Sequence, residues 1–374
     1  MLSQKNIFSV VTAAAATVDF KPDDTIVSVL PIHHTYELAC MIAGLDYGMH
    51  ICINDSLTRV LKNFQIFKPT GLVLVPLFVY TIYKKIWAEA KKSGRDGKLK
   101  LGIGASRAMM AVGIDKRKEL FADVVNAFGG RLEKIICGGA ALNQDIIDTF
   151  DAMGITILNG YGITECAPLI SCNRNRYQKK GSVGVPIIGE EIKIADPDEN
   201  GEGEICVKGP NVMLGYYKNP EATAEAFDEE GYFKTGDYGK LDEEGWIYIT
   251  GRLKNLIIFS NGKNVYPEEI ETEISRIRGV GESVVYAGES KANPQKEVIV
   301  AEIYPDYDTL EMDGIGRDEE DKIKEYFHAE VRKANSRMVS YKAVGLVKIR
   351  KEEFPKNTSR KIMRFAIDKN IDEE

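Results

Sequence analysis

Cysteine is sparse and carries no paired pattern in this 374-residue chain: six residues, at 40, 52, 137, 166, 172 and 206, form no C-x-x-C pair, and none lies beyond 206. That distribution argues against a disulfide framework and a cysteine zinc site, and reads as free thiols in a reducing compartment, the cytoplasm. No stretch reaches the roughly 18 continuous apolar residues of a membrane-spanning helix. A basic stripe interleaved with aromatics is missing, so nothing suggests a nucleic-acid surface. Internal repeats and low-complexity segments are missing too, which removes solenoid and linker-rich architectures.

What is present is the composition of an ordinary soluble acidic protein, with 28% charged residues, 44% apolar residues and a formal net charge of −7. The chain exceeds the roughly 250–300 residues at which one hydrophobic core stops growing, so two domains are expected. Lys5 followed by Ile7 to Ala16 superficially suggests a signal peptide, but Ser9 and Thr12 interrupt it. Ile7, Val10, Val11, Ala14 and Ala15 recur at helical spacing, and Ser3 is placed to cap them, so the segment is predicted to be an amphipathic core helix.

From residue 26 strand-like runs (Ile26 to Leu30, Gly71 to Val75, Lys134 to Cys137, Thr156 to Leu158) alternate with helical stretches around 36–48, 57–66, 77–92 and 116–128. This alternation predicts an α/β fold with a largely parallel sheet over residues 1–180. Residues 181–250 change to short strands broken by Gly, Pro and acidic turns, the pattern of a β-rich subdomain. After Gly251 a small α+β domain is expected. Pro267 opens a helix with Glu268, Glu269 and Glu271 near its start, as the helix dipole favours. A further helix is expected from about Glu319 to Asn335, with strands near Ser283 to Ala287, Glu297 to Tyr304 and Val344 to Ile349, and a solvated acidic loop before that helix.

The run from Gly231 to Glu271 sets glycine turns and charges between apolar strands. Asp237 follows a glycine, where a short carboxylate can accept hydrogen bonds from vicinal hydroxyls such as those of a ribose. Gly251, Arg252 and Lys254 lie between two apolar strands, an arrangement suited to a hinge anchored by charge and free in its dihedrals. Taken alone, each residue is better read as part of a β-hairpin with solvated charges at its turn.

The run resembles the central signature of the adenylate-forming superfamily, which includes acyl-CoA synthetases, luciferases and peptide-synthetase adenylation domains. Gly138-Gly139-Ala140, Asn159-Gly160-Tyr161-Gly162-Ile163-Thr164-Glu165 and Pro355-Lys356-Asn357-Thr358-Ser359-Arg360-Lys361 resemble further family motifs in the same order. Leu30-Pro31-Ile32-His33-His34-Thr35-Tyr36-Glu37 is similar to a segment of bacterial long-chain fatty-acid–CoA ligases. The resemblance implies a partial large AMP-binding domain at 1–250, a hinge at 251–254 pivoting on Lys254, and a small C-terminal domain at 255–374. It also implies ATP, Mg2+ and coenzyme A as cofactors or co-substrates, and a fatty acid as the second substrate.

Residue by residue, the resemblance implies that Gly138, Gly139, Ala140, Asn159, Gly160, Tyr161 and Gly162 receive the nucleotide, with Tyr161 stacked on adenine. Thr164 would meet phosphate, Glu165 would hold magnesium, Asp237 would bind ribose, and Arg252 would contact ribose and phosphate. Lys361 would bridge substrate carboxylate and α-phosphate. Gly262 and Asn264, in the segment to Pro267, would line the pantetheine channel after domain rotation. His34 and Gly184 would bound the acyl pocket. Val79, Tyr80 and Ile82 suit an acyl tunnel or, more simply, helix core, and Lys361 outside the family context is a solvated member of a cluster with Arg360 and Arg364.

Two departures stand out. The last motif has Arg360 where the family has glycine, and the family's Ser/Thr/Gly-rich, lysine-bearing phosphate loop is not among these residues. The reading is therefore of a truncated ligase, expected to be weak or inactive alone. A non-catalytic nucleotide- or partner-binding fragment, and acyl transfer to a carrier-protein phosphopantetheine, are the alternatives. Peripheral membrane contact through the acyl substrate is compatible with the sequence, and oligomeric state is left open.

Overall fold

The computed structural model describes residues 1–374 except 141, 176, 260, 261, 291, 294–297, 358–360, 373 and 374. The Thr358, Ser359 and Arg360 portion of the last motif, including the glycine-to-arginine departure, thus lies outside the described residues. Contacts group the chain into two compact units, residues 1–235 with 239–249, and residues 236–238 with 250–374.

The first unit opens with the expected helix, Gln4–Thr17. Ser3 Oγ accepts from the Asn6 N–H at 3.2 Å, and the Ser3 N–H donates to Asn6 Oδ1 at 2.8 Å. This reciprocal cap satisfies two groups that a helix start would otherwise leave orphaned. The buried Asn6 amide also donates to the carbonyls of Pro210 and Val212, tying the helix to the β-rich region.

Five strands then form a parallel array: β1 (Thr25–Ser28), β2 (His50–Ile53), β3 (Gly71–Leu74), β4 (Lys134–Gly138) and β5 (Thr156–Gly162). Antiparallel β6 (Leu169–Cys172) and β7 (Val185–Pro186) complete a seven-stranded sheet in the order β2-β1-β3-β4-β5-β6-β7. Every residue of β1, β3 and β4 is buried. Helices cover both faces of such a sheet, which is why these strands read as continuous apolar runs. Val27, Phe64, Leu72, Leu74, Val79, Ile135 and Phe150 form the centre of the main core, so Val79 and Ile82 are helix core.

The four predicted helical stretches correspond to Thr35–Asp46, Leu57–Phe67, Pro76–Lys92 and Arg117–Ala127, with breaks in the second and fourth. Sequence patterning missed a helix at Asp96–Ala111. That helix carries Gly97, Gly102 and Gly104 and buries only Ile103 and Ser106, so it has neither strong propensity nor a clear apolar stripe. The β-rich region supplies β8 (Glu191–Ala195), β9 (Gly203–Lys208), β10 (Phe233–Leu241) and β11 (Ile247–Arg252), ordered β11-β10-β9-β8.

In the second unit β12 (Ile257–Ile258) and β13 (Asn264–Val265) form a short antiparallel hairpin. Pro267 occupies the first turn of helix Pro267–Ile274, with Glu268 and Glu269 beside it, as read from the sequence. β14 (Val280–Ala287) pairs antiparallel with β15 (Ile299–Pro305), which pairs parallel with β16 (Leu346–Ile349). Helix Glu320–Asn335 buries Ile323, Phe327, Val331 and Ala334, a four-four-three spacing that keeps them on one apolar stripe. The acidic stretch before it is not simply a solvated loop. It folds into a short helix, Tyr307–Met312, because Leu310 is drawn to 1% exposure in the core.

Candidate functional site

In an open α/β sheet, ligands meet the carboxyl ends of parallel strands. β4 and β5 end side by side, with Gly138 in register with Gly160. A Cβ on Gly138 would lie 3.4 Å from the Tyr36 ring, and on Gly162 only 1.8 Å from the Pro168 carbonyl oxygen. Glycine at 162 is therefore demanded by backbone contact. Gly139, at φ +95°, and Ala140 are exposed just beyond β4. The Asn159 carbonyl accepts from the Asn173 N–H at 2.9 Å, which fixes the strand end. Tyr161 is 7% exposed and packs in a core with Cys166, Ile170 and Ile205.

Thr164 is exposed at the start of the single-turn helix Thr164–Cys166. The half-buried Glu165 carboxylate accepts from the Tyr216 hydroxyl at 3.1 Å, while its carbonyl accepts from the Met213 N–H at 2.8 Å. Burial, and then the neighbouring Glu165 charge, push the Tyr216 phenol up, so it stays a donor. Among the described residues no group of three His, Cys, Asp or Glu is placed to hold a metal. One oriented carboxylate nevertheless fits magnesium, which keeps most of its waters and takes its remaining ligands from phosphate.

His34 caps helix Thr35–Asp46 by position, without a side-chain cap bond, and its ring lies 4.4 Å from that of His33. One turn further on, Glu37 is fully buried and accepts from the Ser28 hydroxyl. Burial pushes its carboxyl up to about 7, against the opposing hydrogen bonds from Ser28 and the Leu30 backbone. Sequence reasoning named Glu37 only as the last residue of the Leu30–Glu37 motif and gave it no role; a glutamate opening an otherwise apolar helix was the further signal. Gly184 has φ +94°, and a Cβ there would sit 2.0 Å from the Cys172 carbonyl carbon, so only glycine fits.

The second unit gathers three predicted residues from distant positions. Asp237 is 3% exposed and accepts from Arg252 Nε at 2.8 Å. Desolvation, and then the Arg252 charge, hold the Lys361 ammonium below the usual lysine range, while Asp237 acts in the opposite sense. Lys361 itself is exposed. Lys254 is exposed in the turn Leu253–Asn255 that follows Arg252. Gly262, at φ +77°, turns the β12–β13 hairpin, and Asn264 pairs with Ile258 within it. Arg364 departs from the solvated role that its basic neighbours suggest. It donates to Glu271 at 2.5 Å and to the Val285 carbonyl at 3.0 Å.

A family model for AMP-binding enzymes matches residues 1–217 of the chain. The chain belongs to the AMP-binding enzyme family. This AMP-binding enzyme is 32% identical over 328 residues to long-chain-fatty-acid–CoA ligase 1 of Homo sapiens, covering 83% of this chain and 46% of that protein. It is 29% identical over 307 residues to the long-chain-fatty-acid–CoA ligase FadD15 of Mycobacterium bovis, covering 78% and 50%. ATP-bound MatB from Rhodopseudomonas palustris shares the fold at a TM-score of 0.71 and 27% identity, covering 98% of this chain and 63% of MatB. The chain thus spans about half the length of these curated relatives. No described helix of this AMP-binding enzyme is long and apolar enough to cross a membrane.

Proposed function

We propose that this AMP-binding enzyme takes part in ATP-dependent activation of a carboxylic acid of the long-chain fatty-acid class, with coenzyme A as the acyl acceptor. The observation that carries the reading is the convergence of Asp237, Arg252 and Lys361 in one unit. The names of the curated relatives support the substrate class, and the ATP-bound neighbour supports the nucleotide.

In the first step a carboxylate oxygen bonds to the α-phosphorus of ATP and pyrophosphate leaves. Negative charge builds between the two reactants, and an ammonium on a flexible stem, Lys361, is suited to offset it. Asp237 is proposed to accept the ribose hydroxyls, with Arg252 Nε, 2.8 Å from its Oδ1, holding the carboxylate in place. Gly138 to Ala140, Gly160 and Gly162 are proposed to offer a flat, side-chain-poor edge for adenine, with Asn159 and Tyr161 on the same strand as the last two. Magnesium, held by Glu165 with Tyr216 orienting that carboxylate, would neutralise phosphate charge. In the second step a thiol sulfur attacks the acyl carbon and AMP leaves. Residues 251–254, with Lys254, are proposed as the pivot that exchanges the Lys361 face for the Gly262 and Asn264 face, while His34 and Gly184 bound the acyl pocket.

These 374 residues include no Ser/Thr/Gly-rich phosphate loop, so turnover by them alone is expected to be slow. The reading is therefore tested first by binding. Calorimetry with a non-hydrolysable palmitoyl-adenylate analogue should show saturable binding that Asp237→Ala weakens by about tenfold, the cost of hydrogen bonds to a charged acceptor. Absence of binding, or binding indifferent to Asp237, would sink the proposal. Palmitate-dependent pyrophosphate exchange then separates a slow enzyme from a non-catalytic binder, and thioester formation with coenzyme A or with a holo-carrier protein separates the acceptors.

A further inference from the structure

The loop that carries Lys361 is fastened at both ends to the same strand. Before it, Lys356 forms a nearly buried ion pair with Glu282 of β14, the two side chains being 9% and 11% exposed. Lys356 also bonds Glu353 at 2.6 Å and bridges to Ile362. The backbone of the loop closes through the Asn357 N–H to the Lys361 carbonyl and the Lys361 N–H to Asn357 Oδ1, both at 3.0 Å. After it, the Arg364 guanidinium donates to both oxygens of Glu271 at 2.5 Å and to the carbonyl of Val285 in β14 at 3.0 Å. Glu271 in turn accepts from the Val285 N–H at 2.6 Å.

This network also reaches the segment after Arg252. Asn255 donates to Glu268 Oε1 at 2.5 Å, and Arg364 Nη2 lies 3.8 Å from that same oxygen. Gly251 abuts it from the other side, since a Cβ there would stand 2.8 Å from Glu268 Oε2. A guanidinium shared between two carboxylates and a carbonyl is a rigid fork, which a solvated surface arginine is not.

We infer that Arg364, with Glu271 and Glu268, is a positioning residue that sets Lys361 against Arg252 and Asp237, the Lys356–Glu282 pair serving as the second post of the same loop. The inference rests on the proposed role of Lys361. Arg364 itself touches no reacting atom in that role. Its energetic logic is that burial pushes the Glu271 carboxyl up to about 7, and the Arg364 charge is the strongest influence opposing that rise. Losing the guanidinium therefore releases the post as well as a hydrogen bond.

The test reads Lys361 directly in the full chain, by peptide-resolved mass spectrometry of its labelling with an amine-reactive ester across pH 6–10. In the unaltered protein Lys361 should label at lower pH than the exposed Lys254. Arg364→Met should return it toward ordinary lysine behaviour, seen as a shift of its labelling curve to higher pH and slower labelling at pH 8. Arg364→Lys should recover part of the difference, and Lys356→Met should reproduce it. Circular dichroism identifies a variant that has unfolded, in which case the milder Glu271→Gln carries the test. Unchanged Lys361 labelling in folded Arg364→Met and Glu271→Gln variants would overturn the inference. Labelling that shifts as expected in a protein that fails to bind the adenylate analogue would leave the anchor standing and remove the functional reading instead.

Discussion

Replacing Glu37 by glutamine should remove a pH-dependent penalty on the stability of the first unit. The Glu37 carboxyl is fully buried, with Ser28 donating to one of its oxygens, and burial raises it from the 4.5 of a solvated glutamate to about 7. Between those values the folded chain keeps a proton that the unfolded chain has lost. Stability must therefore fall as pH rises through that window, and the full penalty is present above it. A shift of about 2.5 pH units at about 1.4 kcal/mol each gives a penalty of order 3 kcal/mol. Glutamine keeps the shape and the Ser28 bond without an ionisable proton. At pH 4.5 the variant should match the unaltered protein, and by pH 8 it should be more stable by up to about 3 kcal/mol. Glu190, pushed up to about 8 by burial, adds a parallel slope of its own, so the informative quantity is the difference between the two proteins. Urea titrations at half-unit steps from pH 4.5 to 8, monitored by the fluorescence of Trp87 and Trp246, measure it. A difference that stays constant over the range would refute the assignment of a protonated, buried Glu37.

Gly162→Ala should destabilise the first unit by about 3 kcal/mol or more, since the added methyl meets a backbone carbonyl that cannot move aside as a side chain could; denaturant midpoints check this. Lys361→Ala should lower palmitate-dependent pyrophosphate exchange by about 10²–10³ while leaving adenylate-analogue affinity nearly unchanged, the signature of a group that acts in the transition state. Tyr216→Phe removes the donor that orients Glu165, and should raise the magnesium concentration needed for half-maximal exchange by about tenfold, as titration after chelator treatment would show.

Much of the fold was legible because its signals are local. Ser3 caps its helix through groups three residues away, Pro267 and its following glutamates start another, and the continuous apolar runs of β1, β3 and β4 report burial on both sheet faces. Where local signals were weak, the reading failed. Three glycines hid helix Asp96–Ala111, and an acidic surround hid helix Tyr307–Met312, whose one buried anchor is Leu310. The same division runs through the candidate site. The motifs around Gly138, Asn159 to Glu165 and Asp237 were visible as residues in order, but the reason that Gly162 and Gly184 must be glycine is a carbonyl from another segment pressed against each.

The sequence by itself determined the family, the order of its motifs and the types of residue able to handle a nucleotide, a carboxylate and a cation, because these depend on chemical groups and their spacing along the chain. Tertiary structure alone decided which charges are partnered. It buried Glu37 beside Ser28, turned Arg364 from one of several basic residues into the fork between Glu271 and Val285, and brought Lys361 to Asp237 and Arg252. The physical reason is that a side chain's ionisation and orientation depend on solvent exclusion and on charges a few ångströms away, and in a folded chain those neighbours come from segments far apart in sequence.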